Sequence, residues 1–326
     1  MSRLFKALFA AAACLLAAFC LSLCVGRYPL TLADIAASLS GGEGMTAQVF
    51  WRLRLPRTLA AMLAGASLGA GGAVYQAVFA NPLAAPDIMG ISGGATLGAA
   101  VCIVFFAGAC VPAFAFAGGL AALAASLLLT RASGSRGTSG IVLSGVLVSA
   151  AVRAAITVLK LLCDTDGELA AIEFFTMGSF SGITARSLPP MLAGVVPGLL
   201  LLALLRRQIP LLTLPAQEAA SLGVRVGAVR AAVLGASTLA VCAVSAQAGV
   251  IAFAPLLAPH GARLLLGGRS RGLLPLSVLL GGALLLLADT AARLLPGAEL
   301  PVSVFTTALG VPLLAALMAK GGRAHG

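Results

Sequence analysis

The feature that most constrains this chain is its succession of long apolar runs, each broken by glycine, proline, arginine or a short polar stretch. The runs fall near 7–26, 58–79, 88–107, 112–130, 140–161, 188–205, 228–248, 250–266, 273–294 and 302–319. Crossing the hydrocarbon core of a bilayer takes roughly 20 apolar residues in a helix, so the pattern predicts about ten spans. The expected fold class is an all-α polytopic membrane protein. Composition excludes the soluble alternative. Only 10% of the 326 residues are charged and 60% are hydrophobic, whereas a soluble domain has about 25% charged residues to cover its surface. Residues 1–326 therefore read as a single transmembrane domain with no soluble domain of useful size.

Two other classes drop out on composition. The net charge is +11, but the cations are dispersed and not interleaved with aromatics, which argues against nucleic acid as a partner. The seven cysteines (Cys14, Cys20, Cys24, Cys102, Cys110, Cys163, Cys242) form no CxxC pair, and most lie in apolar runs as small hydrophobic residues. No metal site is expected. Arg3 and Lys6 ahead of the apolar run from Leu8 to Val25 resemble a secretory signal. No A-x-A site ends that run, so residues 1–26 are expected to remain as an uncleaved first span.

With the N-terminus inside, ten spans put Arg3, Lys6, Arg131, Arg136, Arg206, Arg207, Arg225, Arg230, Arg269, Arg271, Lys320 and Arg323 on the cytoplasmic side. Most of the acids (Asp34, Glu43, Asp164, Asp166, Glu168, Glu173, Glu299) fall outside. That is the positive-inside bias, and it predicts a multi-pass protein with both termini cytoplasmic. Arg52, Arg54 and Arg57 break the rule, because they lie close together on the outside. In the spans, Gly65 and Gly69, then Gly90 and Gly94, recur at every fourth position, the spacing that lets helices approach closely in lipid.

What the chain lacks carries much of the functional argument. Its only lysines, Lys6, Lys160 and Lys320, are followed by Ala7, Leu161 and Gly321. No Walker A sequence is possible, so the chain has no P-loop for ATP. There is no nucleophile elbow and no metal-ligand cluster, so it is not expected to be an enzyme or to bind a cofactor. Asp289 is the only acid well inside a run, and Arg293, four residues on, can pair with it on one helix face. Arg153 is the other intramembrane charge; it either snorkels outward or pairs with an acid. An ion-coupled secondary transporter, the reading from another class, would need such charges to carry its ion.

One motif region runs Arg54-Leu55-Pro56-Arg57, then Gly65-Ala66-Ser67-Leu68-Gly69, Gln76, Asn81-Pro82-Leu83-Ala84-Ala85-Pro86 and Gly90-Ile91-Ser92-Gly93-Gly94. A second holds Gly249-Val250-Ile251-Ala252-Phe253, Pro259-His260 and Arg263. The third holds Leu287-Ala288-Asp289, Arg293, Glu299-Leu300-Pro301 and Gly310-Val311-Pro312. In this order the three blocks resemble the permease subunits of iron-siderophore, haem and cobalamin importers of the ATP-binding-cassette class, with the type II architecture. The resemblance runs from about residue 50 to the C-terminus.

The resemblance implies two permease copies, identical or paralogous, around a central pathway, two cytoplasmic ATPase subunits that use the ATP, and a periplasmic or lipid-anchored binding protein that delivers cargo. It implies that Arg54, Arg57 and Arg293 meet carboxylates on the binding protein, where guanidinium–carboxylate forks fix docking register; anchoring to lipid headgroups is the other reading. It implies a cytoplasmic gate from Asn81, Leu83, Thr138 and Ser139, of which Asn81-Pro82 also serves as a helix-ending turn and Ser139 as an N-cap. The inner loop 206–230 carries a short helix resembling the family's coupling helices, with Gln217, Glu218, Ala219, Leu222 and Gly223 expected to seat on the ATPase and Gly223 to end the helix. Its bland alternative is a plain connector. Two departures stand out: Val302-Ser303 follows Pro301 where the family usually has a glycine, and Ala254-Pro255-Leu256 stands where a glycine-leucine is common. The expected pathway is nearly uncharged, and the expected cargo is a metal chelate, ferric siderophore first, with cobalamin, haem or molybdate behind it.

Overall fold

The computed structural model describes residues 3–134, 138–163, 167–267, 272–295 and 299–322. Arg136, Asp164, Asp166, Arg269, Arg271, Arg323 and the Lys320 side chain lie outside the described residues. Among those described there are fourteen α-helices and no strand. α1 (Arg3–Cys24) runs from a near end, where it begins, to a far end. At the far end follow α2 (Leu32–Leu39) and α3 (Met45–Val49), which leads through a π-turn at Phe50–Arg54 into α4 (Leu55–Val78). α5 (Ile91–Phe106), α6 (Val111–Ala132) and α7 (Thr138–Leu162) cross in alternation, and α8 (Glu168–Met177) lies at the far end. α9 (Leu188–Leu204) returns to the near end, where α10 (Ala216–Ser221) precedes α11 (Val226–Ala248). α12 (Ala254–Leu266), α13 (Leu273–Leu294) and α14 (Val302–Gly322) complete the bundle. Seven of these segments are long and apolar enough to cross a membrane. Ile91–Phe106 and Val302–Leu313 are shorter apolar helical stretches, so among the described residues fewer helices have full spanning length than the ten runs expected.

α4 is the axis. Nineteen of its 24 residues are buried, against α13, α11 and α12. Without a hydrophobic force between helices in lipid, close packing must hold them, and small residues permit it. A Cβ on Gly65 would lie 2.0 Å from the carbonyl oxygen of Gly281 on α13, so those backbones touch. Gly69 meets Ser277 on α13, and Gly94 meets Gly118 on α6, in the same way. Gly90 packs closely on α7, where a Cβ would lie 3.0 Å from Ser149 Oγ, and has a second task. At φ +73° it is the left-handed joint between the 3₁₀ turn Pro86–Met89 and α5, a conformation open chiefly to glycine.

Two of the expected spans are shorter than their apolar runs. The run at 88–107 becomes a 3₁₀ turn and a 16-residue helix, because Pro86 and Gly90 impose a break. The run at 250–266 is helical only from Ala254. Gly249, at φ +72°, ends α11, and Pro255 opens α12 where its missing N–H is harmless. Between them Phe253 is held at φ +62°, a strained position for a bulky side chain.

Irregular backbone inside a membrane protein must find partners in protein, and here it does. Ser179 N–H donates to Ala248 O at 2.7 Å, Val250 N–H to Phe175 O at 3.1 Å, and Val302 N–H to Gly178 O at 3.0 Å. Ser303 completes the set: its Oγ accepts from Ala252 N–H at 3.3 Å and donates to Val250 O at 3.1 Å. The departure at 302–303 thus has a structural use, as a polar clasp on the break before α12.

α2, α3 and α8 were not foreseen. α2 has a capping box, with Thr31 and Asp34 bonded reciprocally. The Thr31 side-chain and backbone donors hold the exposed Asp34 carboxyl below its usual range.

Candidate functional site

At the far end, the start of α4 and the ends of α1 and α13 meet in an ionic cluster. Asp289, fully buried near the end of α13, is its centre. Arg57 grips it with Nε at 3.0 Å and Nη2 at 2.9 Å from Oδ1. Arg293, one helical turn beyond Asp289, places Nε 3.1 Å from Oδ2. Arg57 also reaches Glu299 through Nη1 at 2.8 Å. The expected pairing of Asp289 with Arg293 is present, and Arg57, 232 positions away in sequence, is added to it.

The remaining guanidinium donors close the end of α1, whose last carbonyls have no partner within the helix. Arg293 donates to Ser22 O at 3.1 Å and to Ser22 Oγ at 2.6 Å. Arg54 donates to Val25 O, and to Tyr28 O at 2.8 Å. Cations are favoured at a helix C-terminus by the helix dipole. Arg54, Arg57 and Arg293 are therefore brought together, but turned inward: Arg54 is 7% exposed and Arg293 5%. Arg57 is the most accessible of the three side chains, at 12%. Three arginines against Asp289 and Glu299 leave the cluster one positive charge in excess. Arg52, on the preceding turn, is exposed.

The proposed gate residues lie at the near end. After α4, Ala80 takes a left-handed φ of +46°, and Asn81 Oδ1 accepts from Leu83 N–H at 2.9 Å, the local bond that makes Asn a turn residue. Leu83 is left 52% exposed. α7 starts at Thr138, so Ser139, expected as its N-cap, is instead its second helical residue. Ser139 is exposed and Thr138 half-buried.

Between α9 and α11 at this same end, Pro215 precedes the short α10, and Gly223, at φ +81°, ends the turn after it. Gln217, Glu218 and Gly223 are exposed, and Leu222, a large apolar residue, is 61% exposed. Ala219 is fully buried. It faces the body of the protein, so of the five residues expected on the coupling surface it seats the helix and cannot offer itself to a partner.

Another pairing also escaped the sequence. Lys160, near the end of α7, donates to Glu173 of α8 at 2.6 Å. Nothing in the local pattern marks α8 as a helix that folds back against α7.

The FecCD transport family matches residues 14–320. The molybdate import system permease protein MolB of Haemophilus influenzae is 33% identical over 327 residues, covering 97% of this chain and 96% of its own. The vitamin B12 import system permease protein BtuC of Escherichia coli is 37% identical over 315 residues, covering 95% and 93%. A solved structure described as an inward-facing conformation of a metal-chelate type ABC transporter has a TM-score of 0.87 and 32% identity, covering 97% of this chain and 99% of that one. Near-complete coverage in sequence and in fold leaves no room for an ion-coupled class. The chain belongs to the FecCD transport family, the membrane-spanning permeases of ATP-binding-cassette importers in which a separate subunit hydrolyses the ATP.

Proposed function

We propose that this permease passes a metal chelate or an oxyanion inward across a bacterial inner membrane. Two copies form the pathway, a binding protein docks at the far end, and two ATPase subunits press on the near end, which is cytoplasmic. The observation that carries the reading is α10. It is a short helix anchored by Ala219 that projects Gln217, Glu218 and Leu222 from the bundle. An exposed leucine beside a rigid turn is what a docked partner would cover. The chain has no P-loop of its own to supply the motion.

Docking of the binding protein is proposed at the face above the arginine cluster. Its excess positive charge suits carboxylates on a partner, with Arg57 the nearest of the three to the surface and Arg52 beside it. Arg54 and Arg293 support that face from below. Asn81, Leu83, Thr138 and Ser139 are proposed as the inner gate. As to cargo, the named relatives carry molybdate and vitamin B12, which supports the coarser class and gives ferric siderophore no preference.

The test is reconstitution in liposomes with the ATPase and the secreted binding protein from the same gene neighbourhood. Accumulation against a gradient should need all three proteins and ATP. Accumulation by the permease alone would overturn the proposal.

A further inference from the structure

α7 is the least covered of the long helices. Only Ile141, Ser144, Gly145 and Leu159 of its 25 residues are buried. Near its centre, three residues past the midpoint of Thr138–Leu162, stands Arg153, exposed. Contacts fix the depth independently. A Cβ on Gly93 would touch Val152, and Gly94 beside it packs on Gly118 and Ala122, the middle of α6. Arg153 is therefore level with the middle of the membrane, about 13 Å along the helix from the end of α7 at 1.5 Å per residue.

An arginine at that depth cannot face hydrocarbon cheaply, and intramembrane charges usually face a bundle interior or a water-filled cavity. Among the described residues no carboxylate forms an ion pair with it. Asp87, in the turn before α5, accepts its hydrogen bond from Ser92 Oγ. Ser149 and Thr157 flank Arg153 at four-residue spacing, their hydroxyls donating to Gly145 O and Arg153 O of the same helix.

We propose that Arg153 is a specificity-determining residue of the transport pathway, set at mid-membrane to favour an anionic cargo: a metal chelate with net negative charge, or an oxyanion. The proposal rests on the importer reading above and narrows its cargo. It also replaces the expectation of a nearly uncharged pathway. Low-dielectric walls focus the field of a charge into a cleft, and the planar guanidinium matches the oxygens of carboxylate, catecholate and oxyanion groups. Two permease copies would present two such groups to one passage.

The experiment uses the whole importer in proteoliposomes with three probes: molybdate, a ferric tris-catecholate, and cyanocobalamin, which has no net charge. The wild type should accumulate an anionic probe and not cyanocobalamin. R153Q should cut the rate of anion uptake about tenfold or more, while R153K should fall between R153Q and wild type, because the charge is kept and the planar fork is lost. Uptake of cyanocobalamin by the wild type, or full anion uptake by R153Q, would overturn this inference and leave the importer reading standing. If R153Q does not assemble, the charge of the cargo that the wild type moves decides. Uptake of none of the probes by the wild type would overturn this inference alone, because other chelates stay open to the importer.

Discussion

Asp289 shows how a single buried charge is made tolerable. A carboxylate taken out of water is costly unless it is paired and hydrogen-bonded, and Asp289 has two guanidiniums within 3.1 Å. Those guanidiniums are in turn satisfied by Glu299 and by the Ser22 and Val25 carbonyls at the end of α1. Removing the centre strands the rest. Asp289→Ala should leave the buried Arg293 without an anionic partner and cost about 3–5 kcal/mol, the usual consequence of breaking a buried pair from one side. The thermal midpoint of the purified permease in detergent would register it. A midpoint equal to wild type would mean that water, and not Asp289, compensates Arg293. Arg57 differs in that Glu299 can still hold it.

At the scale of elements, the joints matter more than the spans. α11 stops at Gly249 and α12 starts at Ala254, and the intervening backbone is fastened to α14 by Ser303. Ser303→Ala removes the acceptor for Ala252 N–H and the donor for Val250 O. Each buried backbone group left unpaired costs about 1–3 kcal/mol, so a loss of that order is expected in stability. Faster hydrogen exchange at Ala252, read by mass spectrometry or NMR in detergent, would localise it. Unchanged exchange there would show that the clasp is not what holds the break. The close α4–α13 contact through Gly65 and Gly281 is a joint of another kind, where two backbones meet with no side chain between them.

At the scale of the whole molecule, burial is distributed unevenly in a way that agrees with an assembly. α4 is covered on almost every side, whereas α7 is nearly bare and α10 projects from the near end. Leu222→Arg tests the second of these surfaces. The side chain is exposed, so stability should stay within about 0.5 kcal/mol of wild type. ATP-driven uptake should fall by about an order of magnitude if Leu222 is an anchor of the ATPase interface. Comparing uptake with the thermal midpoint of the same preparation separates the two effects. Full uptake by the variant would remove α10 from the coupling surface.

The span pattern was legible in the chain because lipid imposes one requirement on every crossing, a run of apolar residues long enough to satisfy its own backbone, and that requirement is local. Turn chemistry was legible for the same reason: Asn81 bonds Leu83 two residues away, and Gly223 ends its turn by its own φ. What the chain could not disclose is which distant residues share a site. Arg57 and Asp289 are 232 positions apart, and Ser303 clasps a break some fifty residues upstream; neither pairing leaves a trace in periodicity. Direction was equally hidden. Ala219 and Leu222 lie in one short helical stretch, yet one is buried and the other exposed. Arg54 and Arg293, read as outward-facing from their place at span ends, turn inward because the last carbonyls of α1 stand there without partners. Local sequence therefore determined that the fold is a bundle of apolar helices and which glycines and prolines interrupt them. Only their packing decided which charges are spent inside the protein and which, such as Arg153, are left facing out.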